Sequence, residues 1–241
     1  MQAPRYALRM ITQAAKGSDC KSLVIRLRRC KSFIIHFMTA KGTKPPASKD
    51  VFLVSDTHFG HPNIVKFAAN GVRIRPFDTH EQHDEVLVEN WNAIVKPNDK
   101  VYHLGDVSIS RKSLALLEKL HGEKILIRGN HDIFKLDDYA KHFKDIRSFH
   151  VLNGCVLTHA PLHTSCLEKF GCNIHGHTHA NHVKRIADIG GLENDPSYLN
   201  VCVEHTNFSP LPLDEVFARI KKQGGTVGMV SRRQDPLGWL G

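Results

Sequence analysis

Residues 51–58 have the sequence VFLVSDTH, in which a D-x-H motif directly follows a short apolar run. The run from Val51 to Val54 has the length and the β-branched and aromatic content of a buried strand. Asp56 and His58 therefore follow a predicted strand end. Because ligands bind beyond the carboxyl ends of the strands in an α/β sheet, we expect both side chains to lie in a site.

Four further motifs follow four further predicted strands in the same way. Gly105-Asp106 follows residues 101–104, and the G-N-H-D motif of residues 129–132 follows residues 125–127. His159 follows residues 155–157, and the G-H-T-H motif of residues 176–179 follows a shorter run that ends at Ile174. Since parallel strands end at one edge of a sheet, we expect the five motifs to form a single site.

From residue 50 onward the chain alternates predicted strands and predicted helices. The predicted strands are residues 51–55, 101–104, 124–128, 154–158, 172–175 and 198–204. The predicted helices are residues 79–95, 110–120 and 213–222. Their apolar stripes are Val86, Leu87, Trp91 and Ile94, then Leu114, Leu117 and Leu120, then Val216, Phe217 and Ile220. Such alternation predicts an α/β protein whose sheet is covered by helices.

The residue types in the five motifs are those that bind divalent metal ions. Carboxylate and carbonyl oxygens suit hard cations, and imidazole suits Zn, Fe, Mn and Ni. The motifs supply seven candidate ligands and one spare histidine, which is enough for two ions and an acid catalyst. Two closely spaced divalent ions are used in enzymes mainly to bind and attack phosphate esters.

The order D-x-H, G-D, G-N-H-D, H, G-H-x-H resembles the calcineurin-like metallophosphoesterase superfamily over residues 51–205. The resemblance extends to a phage and bacterial branch in five runs. These are SDTHFGHPNI (55–64), RPF (75–77), ENWN (89–92), VYHLGD (101–106) and NVCVE (200–204). The resemblance implies a four-layer αββα sandwich with a two-metal site at the carboxyl ends of the strands.

The resemblance also implies a role for each motif residue. The seven implied metal ligands are Asp56, His58 and His179 at one ion, Asn130, His159 and His177 at the other, and Asp106 bridging both. His131 is the implied general acid, and Asp132 is implied to orient it. A hydroxide that bridges the ions would attack phosphorus, while His131 protonates the leaving alkoxide, as its near-neutral pKa allows. Manganese is the first expectation for the ions, with Fe, Zn or Ni as alternatives.

Several residues near the motifs have two interpretations. Asp132 could instead cap a following helix. Arg75 could bind a phosphate oxygen through its planar guanidinium, or it could be a salt-bridged loop residue. His61 and Asn63 could contact substrate because the turn after the first motif should pass near the metals. His103 is predicted to be a strand side chain rather than a ligand.

Charge and composition separate an N-terminal extension from the rest of the chain. Residues 1–49 contain 11 Lys and Arg and one acid, Asp19, whereas residues 50–241 contain the remaining 22 Lys and Arg and 23 acids. The net charge of +9 therefore belongs to the extension, and it is no evidence that the body binds nucleic acid. We expect a basic extension over residues 1–49, a catalytic domain over 50–223 and a C-terminal tail over 224–241. The extension could be a tail, a targeting segment or an over-extended reading frame before Met38.

The compartment and the partners follow from composition. The six cysteines form no C-x-x-C pair, which favours reduced thiols in a cytoplasmic protein. No apolar stretch approaches the roughly 18 residues of a membrane helix, so no membrane partner is expected. The sequence indicates no oligomeric state.

The expected activity is hydrolysis of a phosphodiester, with a nucleotide, a cyclic nucleotide or a nucleic-acid phosphoester as substrate. The alternatives are a phosphomonoesterase, an inactive protein-binding scaffold of the same fold, and a nucleic-acid-binding module that uses the basic extension.

Overall fold

The structure is a computed structural model that describes residues 49–69 and 71–230. The expected basic extension, apart from Lys49, lies outside the described residues. So does the part of the expected C-terminal tail beyond residue 230.

The described residues form an α/β protein. The α-helices are α1 (His80–Ile94), α2 (Leu136–Ala140) and α3 (Leu213–Lys222). The 3₁₀ helices are Ile64–Lys66, Arg111–Lys119, Thr164–Leu167 and Val203–His205. The strands are β1 (Val51–Val54), β2 (Ala68–Ala69), β3 (Val72–Arg73), β4 (Lys100–His103), β5 (Glu123–Ile127), β6 (Asp145–Arg147), β7 (His150–Leu152), β8 (Cys155–Leu157), β9 (Asn173–His175), β10 (Lys184–Ile186), β11 (Leu192–Asn194), β12 (Tyr198–Asn200) and β13 (Leu211–Pro212).

Two sheets hold the motif-bearing strands. The first has the order β13-β1-β4-β5-β6, in which only the β13 pairing is antiparallel, and the second has the order β12-β9-β8-β7. The register pairs Val54 with His103 and His103 with Leu126. In the second sheet it pairs Leu157 with Ile174. Neighbouring strands therefore end level with one another, and the loops that follow them leave from one edge.

The apolar run of β1 is continuous because both faces of the first sheet are covered. Successive strand residues point to opposite faces. Phe52 and Val54 accordingly pack on one face with Leu87 and Trp91 of α1. Leu53 packs on the other face, in a core that the first sheet shares with the second. The residues of this core include Tyr102, Ile125, Leu157, Ile174 and Leu199. Burying one such side chain stabilises the fold by about 1.5–3 kcal/mol.

Helix α1 begins as the sequence predicts. The Thr79 side chain accepts a hydrogen bond from the Gln82 N–H, which satisfies one of the free donors at the helix start. Leu87 and Trp91 are buried, but Ile94 at the last position is 38% exposed. Ile94 is therefore not part of the buried stripe, contrary to the prediction.

The predicted helix over residues 110–120 is a 3₁₀ helix, Arg111–Lys119. Leu114, Leu117 and Leu120 are spaced by three, which is the period of a 3₁₀ helix, so all three remain on one buried face. Ser110 is the residue before the helix, but its side chain makes no capping hydrogen bond.

The α/β class is confirmed, and each predicted strand overlaps an observed one. The predicted strand 198–204 is shorter than expected because Val203–His205 forms a 3₁₀ turn. Beyond the second sheet, the 3₁₀ segment Thr164–Leu167 contributes Leu167 to a small cluster with Val156 and Tyr198. Within residues 49–69 and 71–230, no helix has the length and apolar content that would cross a bilayer.

Candidate metal centre

The loops that follow the strands have an unusual backbone. Five of the seven predicted ligands have a positive φ: Asp56 (59°), His58 (49°), Asp106 (56°), His177 (67°) and His179 (48°). Non-glycine residues rarely adopt this left-handed conformation, and it costs of order 1–3 kcal/mol per residue unless the surroundings enforce it. The sharp turns are therefore held by tertiary contacts, and they aim consecutive ligand side chains at one place.

Two motif glycines permit these loops to approach one another. A Cβ on Gly129 would collide with the backbone N and the Oδ1 atom of Asp106. A Cβ on Gly176 would collide with Ser55 Oγ and Asp56 Oδ2. Only glycine fits at either position, which explains the first letter of the G-N-H-D and G-H-x-H motifs.

The first cluster consists of Asp56, His58 and His179. The Nε2 atoms of His58 and His179 lie 3.6 and 3.7 Å from Asp56 Oδ1. Asp56 Oδ2 accepts hydrogen bonds from the Ser55 hydroxyl, the Cys202 thiol and the His177 backbone N–H. Asp56 Oδ1 and both ring nitrogens of His58 are buried and have no hydrogen-bond partner among the described residues.

The second cluster consists of Asp106, Asn130, His159 and His177. His159 Nδ1 donates to the Leu104 carbonyl at 2.7 Å, so a neutral ring presents the lone pair of Nε2 to the site. Asn130 Oδ1 lies 2.9 Å from both His159 Nε2 and His177 Nδ1, and those two nitrogens are 3.2 Å apart. Three atoms of types that can bind a metal ion thus face one another.

Asp106 lies between the two clusters. Its Oδ2 atom is 3.6 Å from His58 Nε2 and 3.4 Å from His159 Nε2, while its Oδ1 atom accepts the His131 backbone N–H at 2.8 Å. The structure therefore brings together all seven predicted ligands, with the expected bridging residue in the middle.

The two clusters fit metal ions. Zinc bonds to nitrogen or oxygen are about 2.0–2.2 Å, which places neighbouring ligand atoms of one ion about 3.0–3.6 Å apart. The distances within each cluster, 2.9–3.7 Å, agree with this spacing. A bound cation would also give the unpartnered Asp56 Oδ1 and His58 Nε2 atoms a partner, and buried polar atoms without one are costly.

The ionisation states of Asp56 and His58 suit metal binding. Burial opposes the charge of Asp56, but the imidazoles of His58 and His159 outweigh it and hold the pKa of Asp56 well below its usual range. Burial lowers the pKa of His58, so this ring is neutral. Metal ligands must be deprotonated, and both residues meet that condition.

Arg75 does not face the site, which corrects its prediction as a phosphate-binding residue. It is 0% exposed. Its guanidinium donates to Glu204 Oε1 and to the carbonyls of Asp56 and Thr57, and it contacts His83 Nε2. These contacts engage all three of its nitrogens, so the salt-bridged alternative is right.

Glu204 joins Arg75 to the first cluster, and sequence reasoning assigned it no role. Its Oε1 atom accepts the Nδ1–H of His179 at 2.9 Å, which leaves His179 Nε2 facing Asp56. Such a carboxylate fixes the tautomer and orientation of a metal-binding histidine. Glu204 lies in the 3₁₀ turn Val203–His205, within a segment that the sequence predicted as strand, so the strand-end rule did not single it out.

Asp132 has partners that differ from those expected. Its carboxylate accepts the backbone N–H groups of Asp106, Val107 and Gly129 at 2.8–3.0 Å. These contacts fasten the Gly105-Asp106 loop to the G-N-H-D loop. None of its hydrogen bonds within the described chain involves the His131 ring or caps a helix.

The remaining predicted residues are distributed around the site. The His131 ring is exposed, and its centroid lies 5.6 Å from that of the His58 ring. The centroid of the His61 ring lies 6.1 Å from that of the His58 ring. Asn63 is exposed, and its backbone N–H donates to His61 Nδ1. His103 is a fully buried strand residue, as predicted, and burial lowers its pKa to about 3.

The chain is similar in sequence to known proteins. No family model matches it. The uncharacterized protein MJ1445 of Methanocaldococcus jannaschii is 38% identical over 180 residues, which are 72% of this chain and 93% of that protein. The gene 66 protein of Mycobacterium phage L5 is 31% identical over 88 residues, which are 34% and 40% of the two chains.

The chain was also found to be similar to solved structures. A protein of unknown function from Aquifex aeolicus, AQ665, matches with a TM-score of 0.52 and 23% identity, over 70% of this chain and 98% of its own. An archaeal phosphodiesterase matches at a TM-score of only 0.36, with 23% identity over 63% of this chain and 82% of its own. The likeness to AQ665 shows a shared fold. The identity and coverage of the archaeal relative show that this chain belongs to the same family as MJ1445 of Methanocaldococcus jannaschii.

Proposed function

We propose that the protein is a metal-dependent phosphoric ester hydrolase of the calcineurin-like metallophosphoesterase type, with an αββα sandwich and two divalent ions. The central supporting observation is that Asp106 lies between two ligand clusters, the first of which contains buried atoms, Asp56 Oδ1 and the His58 ring nitrogens, that have no hydrogen-bond partner among the described residues. Manganese is the first candidate, since mixed carboxylate, amide and imidazole ligands suit it; iron, zinc and nickel are alternatives.

The ions and the chain would contribute different parts of the chemistry. Bound to the two clusters, divalent ions would neutralise the phosphoryl oxygens and lower the pKa of an attacking water. The protein's own part is to hold the phosphoryl group and to protonate the leaving oxygen. His131 is placed for that protonation because its backbone is tied to Asp106 Oδ1 while its ring is exposed near His58.

A phosphodiester is the preferred substrate class. A cavity of about 820 Å³ adjoins the second cluster at Asn130, His159 and His177. A diester has a second organic group that can occupy such a space, whereas a phosphomonoester has only one. A nucleotide, a cyclic nucleotide or a nucleic-acid end meets this description.

Hydrolysis of simple aryl esters tests the proposal. The protein is stripped of metal, reconstituted with Mn²⁺, and assayed with bis-p-nitrophenyl phosphate and with p-nitrophenyl phosphate. We expect turnover that needs added metal, stops with chelator, and is at least about tenfold greater in kcat/KM for the diester, roughly 1.4 kcal/mol of transition-state stabilisation.

The alternatives give other results. A preference for the monoester would indicate a phosphomonoesterase. Two bound ions per chain with no turnover of either ester would indicate an inactive scaffold.

A further inference from the structure

The cavity beside the second cluster has both polar and apolar side chains in its lining. The polar ones include the candidate ligands Asn130, His159 and His177, and the apolar ones include Phe149, Leu162 and Phe170. Its volume of about 820 Å³ is within the range of small-molecule sites, about 300–1,000 Å³. A ligand whose phosphate lies at the ligand clusters would therefore extend its organic part toward aromatic and aliphatic side chains.

The two phenylalanines of the cavity are supported differently. Phe170 packs in the small cluster with Val156, Leu167 and Tyr198, so its position is fixed by the fold. Phe149 lies in the two-residue link between β6 and β7, is 58% exposed, and belongs to none of the core clusters of the described chain. An exposed aromatic ring at the rim of a polar site offers a stacking surface for a planar group.

Arg128 adds a fixed donor to the same cavity. Its Nε–H donates to the Asp132 carbonyl at 2.8 Å and its NH2 group donates to the Phe134 carbonyl at 3.3 Å. The guanidinium is thus anchored at the wall, and its NH1 group has no partner among the described residues. A base edge with carbonyl or ring-nitrogen acceptors can use such donors, whereas an alkyl chain cannot.

We propose that this cavity binds the nucleobase of a nucleoside phosphate whose phosphoryl group lies at the two ligand clusters. The inference rests on the proposed phosphoesterase function for the position of the phosphoryl group. Phe149 stacks on the base, Phe170 and Leu162 form the opposite apolar wall, and Arg128 donates to the base edge.

The test compares two ligands that differ only in the base. Affinities of the Mn²⁺-reconstituted protein for adenosine 5′-monophosphate and for ribose 5-phosphate are measured by calorimetry, so the measurement does not depend on turnover. We expect the nucleotide to bind at least about tenfold more tightly, as stacking of one base on an aromatic side chain allows. Phe149→Ala should reduce this ratio to about twofold or less and leave the affinity for ribose 5-phosphate unchanged, while Phe149→Tyr should retain it.

Ile186→Ala is the matched control, because Ile186 is a 79% exposed apolar residue in β10 that does not line the cavity. It should retain the wild-type ratio. Equal affinities of the wild type for the two ligands, or an undiminished ratio in Phe149→Ala, would overturn the proposal. Failure of the phosphoesterase function is distinguishable, since it would appear as absent ester turnover while the preference for the nucleotide remained.

Discussion

The first cluster, Asp56, His58 and His179, lies against a network of buried charges, whereas the second cluster opens onto a cavity. Glu204 and Arg75 support His179 from behind, and Asp56 has a fully buried side chain. At the second cluster, Asn130 and His177 are exposed, and both line the cavity. Both clusters draw on carboxylate and imidazole, so the difference between them lies in their surroundings.

This difference predicts a division of labour. A ligand set held by buried hydrogen bonds is preorganised, so its ion should bind tightly and exchange slowly. A ligand set that faces a cavity can admit substrate, and its ion should exchange more readily. Asp106 lies beside ligands of both clusters, so its loss should weaken the binding of both ions.

The largest effect is expected for Asp106→Asn. The amide is neutral and has a single oxygen, so it cannot bridge two ions as a carboxylate can. The protein should therefore lose the second bound ion and at least about 10³-fold in kcat/KM, roughly 4 kcal/mol. Metal analysis of the purified variant and a diester assay measure both quantities. An active variant that still binds two ions per chain would show that Asp106 does not bridge.

His131→Ala should separate catalysis from metal binding. The variant should retain both ions, because His131 belongs to neither cluster. General acid catalysis contributes typically about 10²–10⁴ in rate, so turnover of an alkyl ester should fall by that factor. Turnover of a p-nitrophenyl ester should fall far less, since this leaving group departs without a proton. His80→Ala, at the start of α1, is the control, and an equal loss on both esters would exclude His131 as the acid.

Glu204→Gln tests whether the hydrogen bond from His179 to Glu204 strengthens metal binding at the first cluster. Loss of the carboxylate behind a metal-binding histidine typically lowers metal affinity about 10- to 100-fold. We expect that loss at the first cluster only, measured by titration against a competing chelator. Glu193→Gln, at an exposed ion pair with Arg185 of 2.7 Å, is the matched control and should change neither affinity. Equal weakening of both clusters would contradict the division proposed above.

The acid stability of the metal-free protein should also depend on Glu204. Burial would raise the pKa of Glu204, but the hydrogen bond from His179 and the charge of Arg75 outweigh it and lower the pKa to about 2. A carboxyl with a depressed folded-state pKa stabilises the fold above its unfolded pKa, and that stability is lost as the pH falls through about 2. It should be worth roughly 3 kcal/mol. Urea unfolding between pH 5 and pH 2 should therefore show a steeper pH dependence for wild type than for Glu204→Gln.

The apolar runs and the motifs after them predicted that the motif side chains meet at one place, and the family resemblance assigned the seven candidate ligands among them. Asp56, Asp106 and His159 each directly follow a strand, and parallel strands end at one edge whatever lies between them in sequence. Helix α1 was predictable for a similar local reason, since Thr79 caps it within three residues. Leu114, Leu117 and Leu120 show the limit of this reasoning, because a spacing of three fits a 3₁₀ helix as well as an α-helix.

The sequence by itself determined which residues can bind metal, because side-chain chemistry and strand periodicity are local properties. Only the tertiary structure decided what surrounds them. The sequence around Arg75 does not distinguish a phosphate-binding arginine from a buried one. In the structure, Glu204, which is 129 residues away in the sequence, pairs with Arg75 inside the protein. Phe149 and Phe170 likewise meet the second cluster at one cavity through the packing of separate loops. Contacts between residues so distant in sequence depend on how the sheets pack, and no local pattern records that packing.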